Sequence, residues 1–177
     1  MQLENAENKE LSHQAVLLNE VCQSLSLPKK RVIVDSTLGL GGHASIILDN
    51  LAKSGKVIGF DLDEEHLKAA KKNLRRFKNR VVFVNENFSK LAQQLKSLRI
   101  KGIDGIVFDL GLASPHVDNA QRGFSFMREG PLDMRFDAKQ QLTAAEVVNK
   151  YSEKELIRIF KEYGEEKKAR KIAHEIV

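Results

Sequence analysis

Cysteine, tryptophan and proline are nearly missing from this 177-residue chain, which has one cysteine, no tryptophan and three prolines. A single thiol, Cys22, excludes an intrachain disulfide and a cysteine-rich zinc site, and reads as a packing residue. With 42% hydrophobic and 30% charged residues, the scarcity of proline excludes a disordered, low-complexity chain. No apolar run approaches the length of a membrane span, and the polar opening MQLENAENKE is not that of a signal peptide, so a cytoplasmic protein is expected. His13, His66 and His174 are scattered, and no metal is expected. The formal net charge of +5 permits a polyanionic partner without requiring one.

Four short β-branched runs stand out: residues 31–35 (RVIVD), 57–61 (VIGFD), 81–85 (VVFVN) and 104–109 (DGIVFD). Helix-like stretches separate them, which predicts a mostly parallel sheet with helices on both faces. Between the second and third runs Leu67, Ala70, Leu74 and Phe77 recur at helical spacing, so one helical face is expected to dock on that sheet. Ligands of such sheets bind at the carboxyl ends of the strands, where Asp35, Asp61, Asn85 and Asp109 fall.

The first run leads into GLGG (39–42) and then into the helix-like ASIILDNLA. Glycine is costly in ordered backbone, and a bare turn at a helix start suits close approach of a polar ligand to backbone N–H groups. The match to a pyrophosphate fingerprint is partial, and a purely structural turn is the alternative. Asp61 lies about twenty residues beyond the loop, where a carboxylate can accept both hydrogen bonds of a ribose diol. A helix cap beside Asp63 is its alternative. Nicotinamide dinucleotides and S-adenosylmethionine both fit this geometry.

After Asp109 the pattern changes, and residues 110–141 form a loop or the start of an inserted subdomain rich in Gly, Pro, Asp and Arg. From Thr143 onward the chain reads as helices broken near Tyr151 and Gly164, with capping boxes at Thr143/Glu146 and Ser152/Glu155. The segment RGFSFMREGPLDMRFD (122–137) interleaves arginine with phenylalanine, a mixture that neutralises phosphates and stacks unpaired bases. Its aromatics would equally serve as the core of a lid. Lys167, Lys168, Arg170 and Lys171 form a basic helical face, which is more often simply solvated.

HQAVLLNEV (13–21), VDSTLGLGGH (34–43), DGIVFDLGLASPHVD (104–118) and RGFSFMREGPLDMRFD (122–137) closely resemble the bacterial 16S ribosomal RNA cytosine-N4 methyltransferases, the RsmH or MraW family. NFSKL (87–91), TAAEVVN (143–149) and YGEEKKARKIA (163–173) spread the resemblance over nearly the whole chain after residue 12. It implies a class I, Rossmann-like α/β methyltransferase that transfers a methyl group from S-adenosylmethionine to the N4 amino group of a cytidine in 16S rRNA of the small ribosomal subunit. A non-catalytic cofactor- or RNA-binding fragment of such an enzyme is the alternative. The cofactor-binding part would span 1–117 and an inserted, mostly helical recognition region 118–177. The family runs on past residue 177 to finish the sheet, so this chain alone is expected to be inactive.

By the family pattern Gly41, Gly42 and His43 contact the cofactor, Asp61 holds its ribose, Phe88 lies beside its adenine, and Asp109 and His116 line the site. Asp109 and the carbonyls of Leu110–Pro115 are the candidate acceptors for the N4 protons. Arg122, Phe124, Phe126, Arg128 and Arg135 are the candidate RNA contacts. Where the family usually continues DLG as VSSPQ, this chain has LASPH, so Ala113 replaces a hydroxyl and His116 an amide.

Overall fold

In the computed structural model, which describes residues 15–177, the four apolar runs become strands β1 (Val32–Asp35), β2 (Lys56–Phe60), β3 (Val81–Val84) and β4 (Gly105–Val107). His13 and Gln14 of the first resembling segment lie outside the described residues. All neighbouring strands are parallel, in the order β3-β2-β1-β4. Parallel neighbours require crossovers, which contain α2 (Gly42–Asn50), α3 (Glu64–Asn73) and α4 (Leu91–Ser97). The first two crossovers step outward from β1. The third returns past it to β4, so the strand order reverses beside β1. A Rossmann-like sheet opens its ligand crevice at such a switch point.

Alternation along the strands divides the core between two faces. Ile33, Val57, Val81 and Val107 join Leu48, Leu67, Leu74 and Phe77 on one side, with Cys22 of α1 (Leu18–Leu25) packed partly against them. Val34, Ile58, Phe60 and Val84 meet Leu91 and Leu95 of α4 on the other. Burying a side chain of this size contributes about 1.5–3 kcal/mol. Leu38 is buried against β2 at Gly59, where an added Cβ would stand 2.6 Å from its Cδ1.

The docking stripe at Leu67, Ala70, Leu74 and Phe77 is buried as its spacing predicts, but the helix beneath it ends at Asn73. Tight 3-10 turns follow through Arg80, interrupted at Lys78 (φ 50, ψ −121). Arg80 then donates to the carbonyls of Leu48, Ala52 and Gly55, satisfying acceptors around the C-terminal end of α2. Asp63 caps α3 by accepting from the Glu65 N–H at 2.9 Å. No helix among the described residues is long and apolar enough to cross a membrane.

The chain divides into two compact units after Gly111. The second contains α5 (Ser114–Asp118), α6 (Ala144–Lys150), α7 (Glu153–Glu162) and α8 (Ala169–Ile176). Both predicted capping boxes are present, Thr143 with Glu146 and Ser152 with Glu155. Helices α7 and α8 pack together, burying Leu156, Ala169 and Ala173.

Candidate functional site

In the first unit, the end of β1, the glycine loop and the end of β2 are tied together by hydrogen bonds. Gly39, at φ +52, donates its N–H to Asp61 Oδ2 at 2.7 Å, and the Asp63 N–H donates to Asp61 Oδ1 at 2.8 Å. Asp61 is therefore a loop clamp, and the cap of α3 belongs to Asp63. Its own side chain remains 14% exposed, with His66 Nδ1 3.6 Å from Oδ2. A carboxylate offers about four lone-pair sites, so two backbone donors leave room for a ligand's hydroxyls.

The glycines also serve packing. Gly41 has φ +88, and an added Cβ would lie 2.8 Å from Leu74 Cδ1; at Gly42 it would lie 2.8 Å from Ala15 Cβ. Gly41 is the N-cap of α2 and supplies no side-chain cap, so the first-turn N–H groups of Gly42, His43 and Ala44 have no acceptor one turn back within the helix.

Asp35, at the end of β1, has surroundings that its position on the strand does not foretell. It is 1% exposed, and its Oδ1 accepts weakly from the Thr37 N–H at 3.3 Å. Its Oδ2 and the neighbouring Ser36 Oγ have no hydrogen-bond partner among the described residues. Burial pushes this carboxyl up to about 6; the Thr37 N–H and His43 oppose the rise, and Asp109 and Asp61 add to it. Three carboxylates thus gather at the ends of β1, β2 and β4, an arrangement that favours a cationic group.

His43 is buried on the first turn of α2, and its Nε2 lies 2.9 Å from the Val16 carbonyl. That carbonyl only accepts, so Nε2 carries the hydrogen and Nδ1 faces Asp109 Oδ2 at 3.7 Å. Asp109, 47% exposed, is fixed by its backbone N–H, which donates to Thr37 Oγ1 at 2.8 Å. Phe88, just before α4, meets Phe108 with ring centroids 5.4 Å apart and planes at 83°. The sequence marks Phe108 as part of an exposed apolar stretch with Ile106 and Val107, but gives no sign that it meets Phe88.

In the second unit His116 is buried, its ring 5.1 Å from Phe124 and 5.0 Å from Phe136, and those two are 5.2 Å apart. The unit's arginines differ sharply in their engagement. Arg135 donates Nε and Nη2 to Asp133 and Nη1 to the carbonyls of Ala138 and Gln140. Its guanidinium holds the Asp133 carboxyl below the usual carboxylate range. Arg122 Nη2 donates to the carbonyls of Arg135 and Phe136, at 2.9 and 3.1 Å. Arg128 is half exposed, donating to the Asp118 carbonyl with its carboxylate 3.6 Å away. Beside it Phe126 is 98% and Met127 80% exposed.

Residues 10–177 match the family model described as the MraW methylase family. The chain is 47% identical over 172 residues to a ribosomal RNA small subunit methyltransferase H from Dictyoglomus turgidum, covering 97% of this chain and 58% of that protein. It is 48% identical over 168 residues to one from Clostridium botulinum, covering 95% and 54% respectively. The chain thus spans about half the length of the curated relatives it matches. Among solved structures, an rRNA methylase from Clostridium thermocellum is similar at a TM-score of 0.46 and 20% identity, over 53% of each chain.

Proposed function

Because the chain belongs to the MraW methylase family, we propose that it serves S-adenosylmethionine-dependent methylation of the N4 amino group of a cytidine in 16S rRNA of the small ribosomal subunit. The observation that carries this reading is the clamp between the Gly39 N–H and Asp61, which holds a partly open carboxylate beside a glycine turn and a helix N-terminus.

The cofactor fits the chemistry of the donor set. Asp61 would accept from the ribose hydroxyls, and Phe88 would contact the adenine. The N–H groups at Gly42 and His43 suit the amino-acid carboxylate. The buried, unpartnered Asp35 Oδ2, with Asp109, suits a positively charged ligand. When bound, S-adenosylmethionine supplies an electrophilic methyl group on its sulfonium.

The N4 lone pair of cytosine is delocalised into the ring, so the protein must draw it out. Asp109 accepts a hydrogen bond from one N4 proton, which favours a pyramidal, nucleophilic nitrogen. The nitrogen gains a methyl group and loses one proton, which Asp109 receives and, being half exposed, passes to water. His43, held by the Val16 carbonyl, limits the orientations open to Asp109.

On the RNA side Phe126 and Arg128 are the residues that remain available, the first for stacking on an unpaired base and the second for phosphate. Arg122, Arg135 and Phe124 support this role by holding the segment's shape. His116 contributes through the same aromatic cluster.

The test, on a protein extended to the length of the curated relatives, is methyl transfer from labelled S-adenosylmethionine to small ribosomal subunits lacking the modification, followed by nucleoside analysis. N4-methylcytidine is the expected product, and a methyl group on another atom would refute the N4 assignment. Binding of S-adenosylhomocysteine and RNA without transfer would favour the non-catalytic alternative.

A further inference from the structure

We infer that Phe108 joins Phe88 in an aromatic corner that receives the adenine ring of the cofactor, an inference that rests on the cofactor reading above. Phe108 directly follows β4, two residues beyond Ile106, so the alternation continued past the strand's end turns both toward one side. Ile106 packs against the same buried cluster as Leu91 and Leu95 of α4, and Phe88 stands in the turn that leads directly into that helix. The same face therefore brings the two rings together.

Both rings remain open, Phe88 at 38% and Phe108 at 48% exposure, and Phe108 belongs to neither core cluster among the described residues. Two adjacent phenyl rings left in water are unfavourable, and a planar apolar ligand face would recover that loss. Their planes stand at 83° with centroids 5.4 Å apart, too close for a base to slide between them. A heterocycle lying flat on one ring instead meets the edge of the other, and both contacts are favourable aromatic geometries.

The occupant follows from what anchors the Phe88 loop. Asn85, three residues earlier, donates to the carbonyls of Asp61 and Leu62 at 3.0 and 3.1 Å. The corner is thereby tied to the strand end that carries the ribose acid. A nucleoside held there by its diol presents its own base to the corner, ahead of a base from RNA.

The experiment uses this chain with Phe108→Ala and Phe108→Leu. Titration calorimetry measures S-adenosylhomocysteine and adenosine, a filter assay measures RNA, and thermal unfolding is followed without ligand. Phe108→Ala is expected to weaken both nucleoside ligands about tenfold, with Phe108→Leu intermediate, RNA binding unchanged and the unliganded unfolding midpoint nearly unchanged. Wild-type affinity for both ligands in Phe108→Ala would overturn the corner while leaving the cofactor reading intact. So would a loss confined to RNA, which would assign the corner to a substrate base. A fall in unliganded stability large enough to account for the lost affinity, present in both variants, would make Phe108 a packing residue. Failure of the wild-type chain to bind either ligand would refute the cofactor reading itself and the corner with it.

Discussion

Asp61 in the first unit and Arg135 in the second are both charged side chains bound to backbone groups, yet they are left in different states. Asp61 accepts from the N–H groups of Gly39 and Asp63 and has lone pairs to spare. Of the five N–H donors of Arg135, four are directed at Asp133, Ala138 and Gln140. A charge whose bonding capacity is unfilled is ready for a ligand, whereas one whose capacity is filled shapes the chain. Counting donors and acceptors therefore separates side chains with room for a ligand from those that frame the chain, which charge alone does not.

The sharpest way to break this comparison is to remove the unfilled acid. Asp61→Ala should weaken S-adenosylhomocysteine binding by about 1.5–3 kcal/mol, the cost of leaving ligand hydroxyls without a charged acceptor. Calorimetry on a variant with native circular dichroism checks it. Equal affinity would reduce Asp61 to a loop clamp.

Asp35 extends the comparison to an acid buried without a full set of partners. Its folded pKa of about 6 lies above the ordinary 3.8. The folded state therefore binds more protons than the unfolded state between those values, and this group's contribution to stability is lost as pH rises from about 4 to 6. Asp35→Asn should stabilise the unliganded protein by about 1–3 kcal/mol at pH 7.5, with the gain shrinking toward pH 4. Urea denaturation at the two pH values would expose a pH-independent difference, which would contradict the origin assigned to the shift.

In the second unit, Arg135→Ala should lower the unfolding midpoint and loosen residues 133–140, because Asp133 and two carbonyls lose their donor together. Cofactor affinity should stay the same. Hydrogen exchange would locate the loosening, and uniform protection would show that the guanidinium frames nothing.

The smallest stability effect belongs to Arg128→Ala, since that side chain is half exposed and its ion pair is open to solvent. RNA affinity should nonetheless fall, and its logarithmic salt dependence should flatten by about one unit. An unchanged salt slope would remove Arg128 from the RNA surface.

Much of this was legible in advance wherever the code is local. The four strands follow from short β-branched runs, and the caps at Thr143 and Ser152 follow from residues three positions apart. The stripe of Leu67, Ala70, Leu74 and Phe77 was readable as a docking face, but not the end of its helix at Asn73. That break accompanies Arg80 reaching carbonyls of Leu48, Ala52 and Gly55, contacts that no spacing rule encodes. Likewise Asp61 reads equally as a ribose acid or a helix cap until the fold brings it to Gly39 and gives the cap to Asp63.

The sequence by itself determined the order of strands and helices, the acids at the strand ends and the motifs of the family, because each is a pattern among near neighbours in the chain. Tertiary structure decided which of those groups are filled and which are open. It buried Asp35 with one oxygen unpartnered, and it committed Arg122 and Arg135 to backbone carbonyls while leaving Phe126 in water. It also brought Phe108 against Phe88. The physical reason is that a side chain has few hydrogen bonds and one surface to offer, and its partners lie wherever the folded chain has brought them.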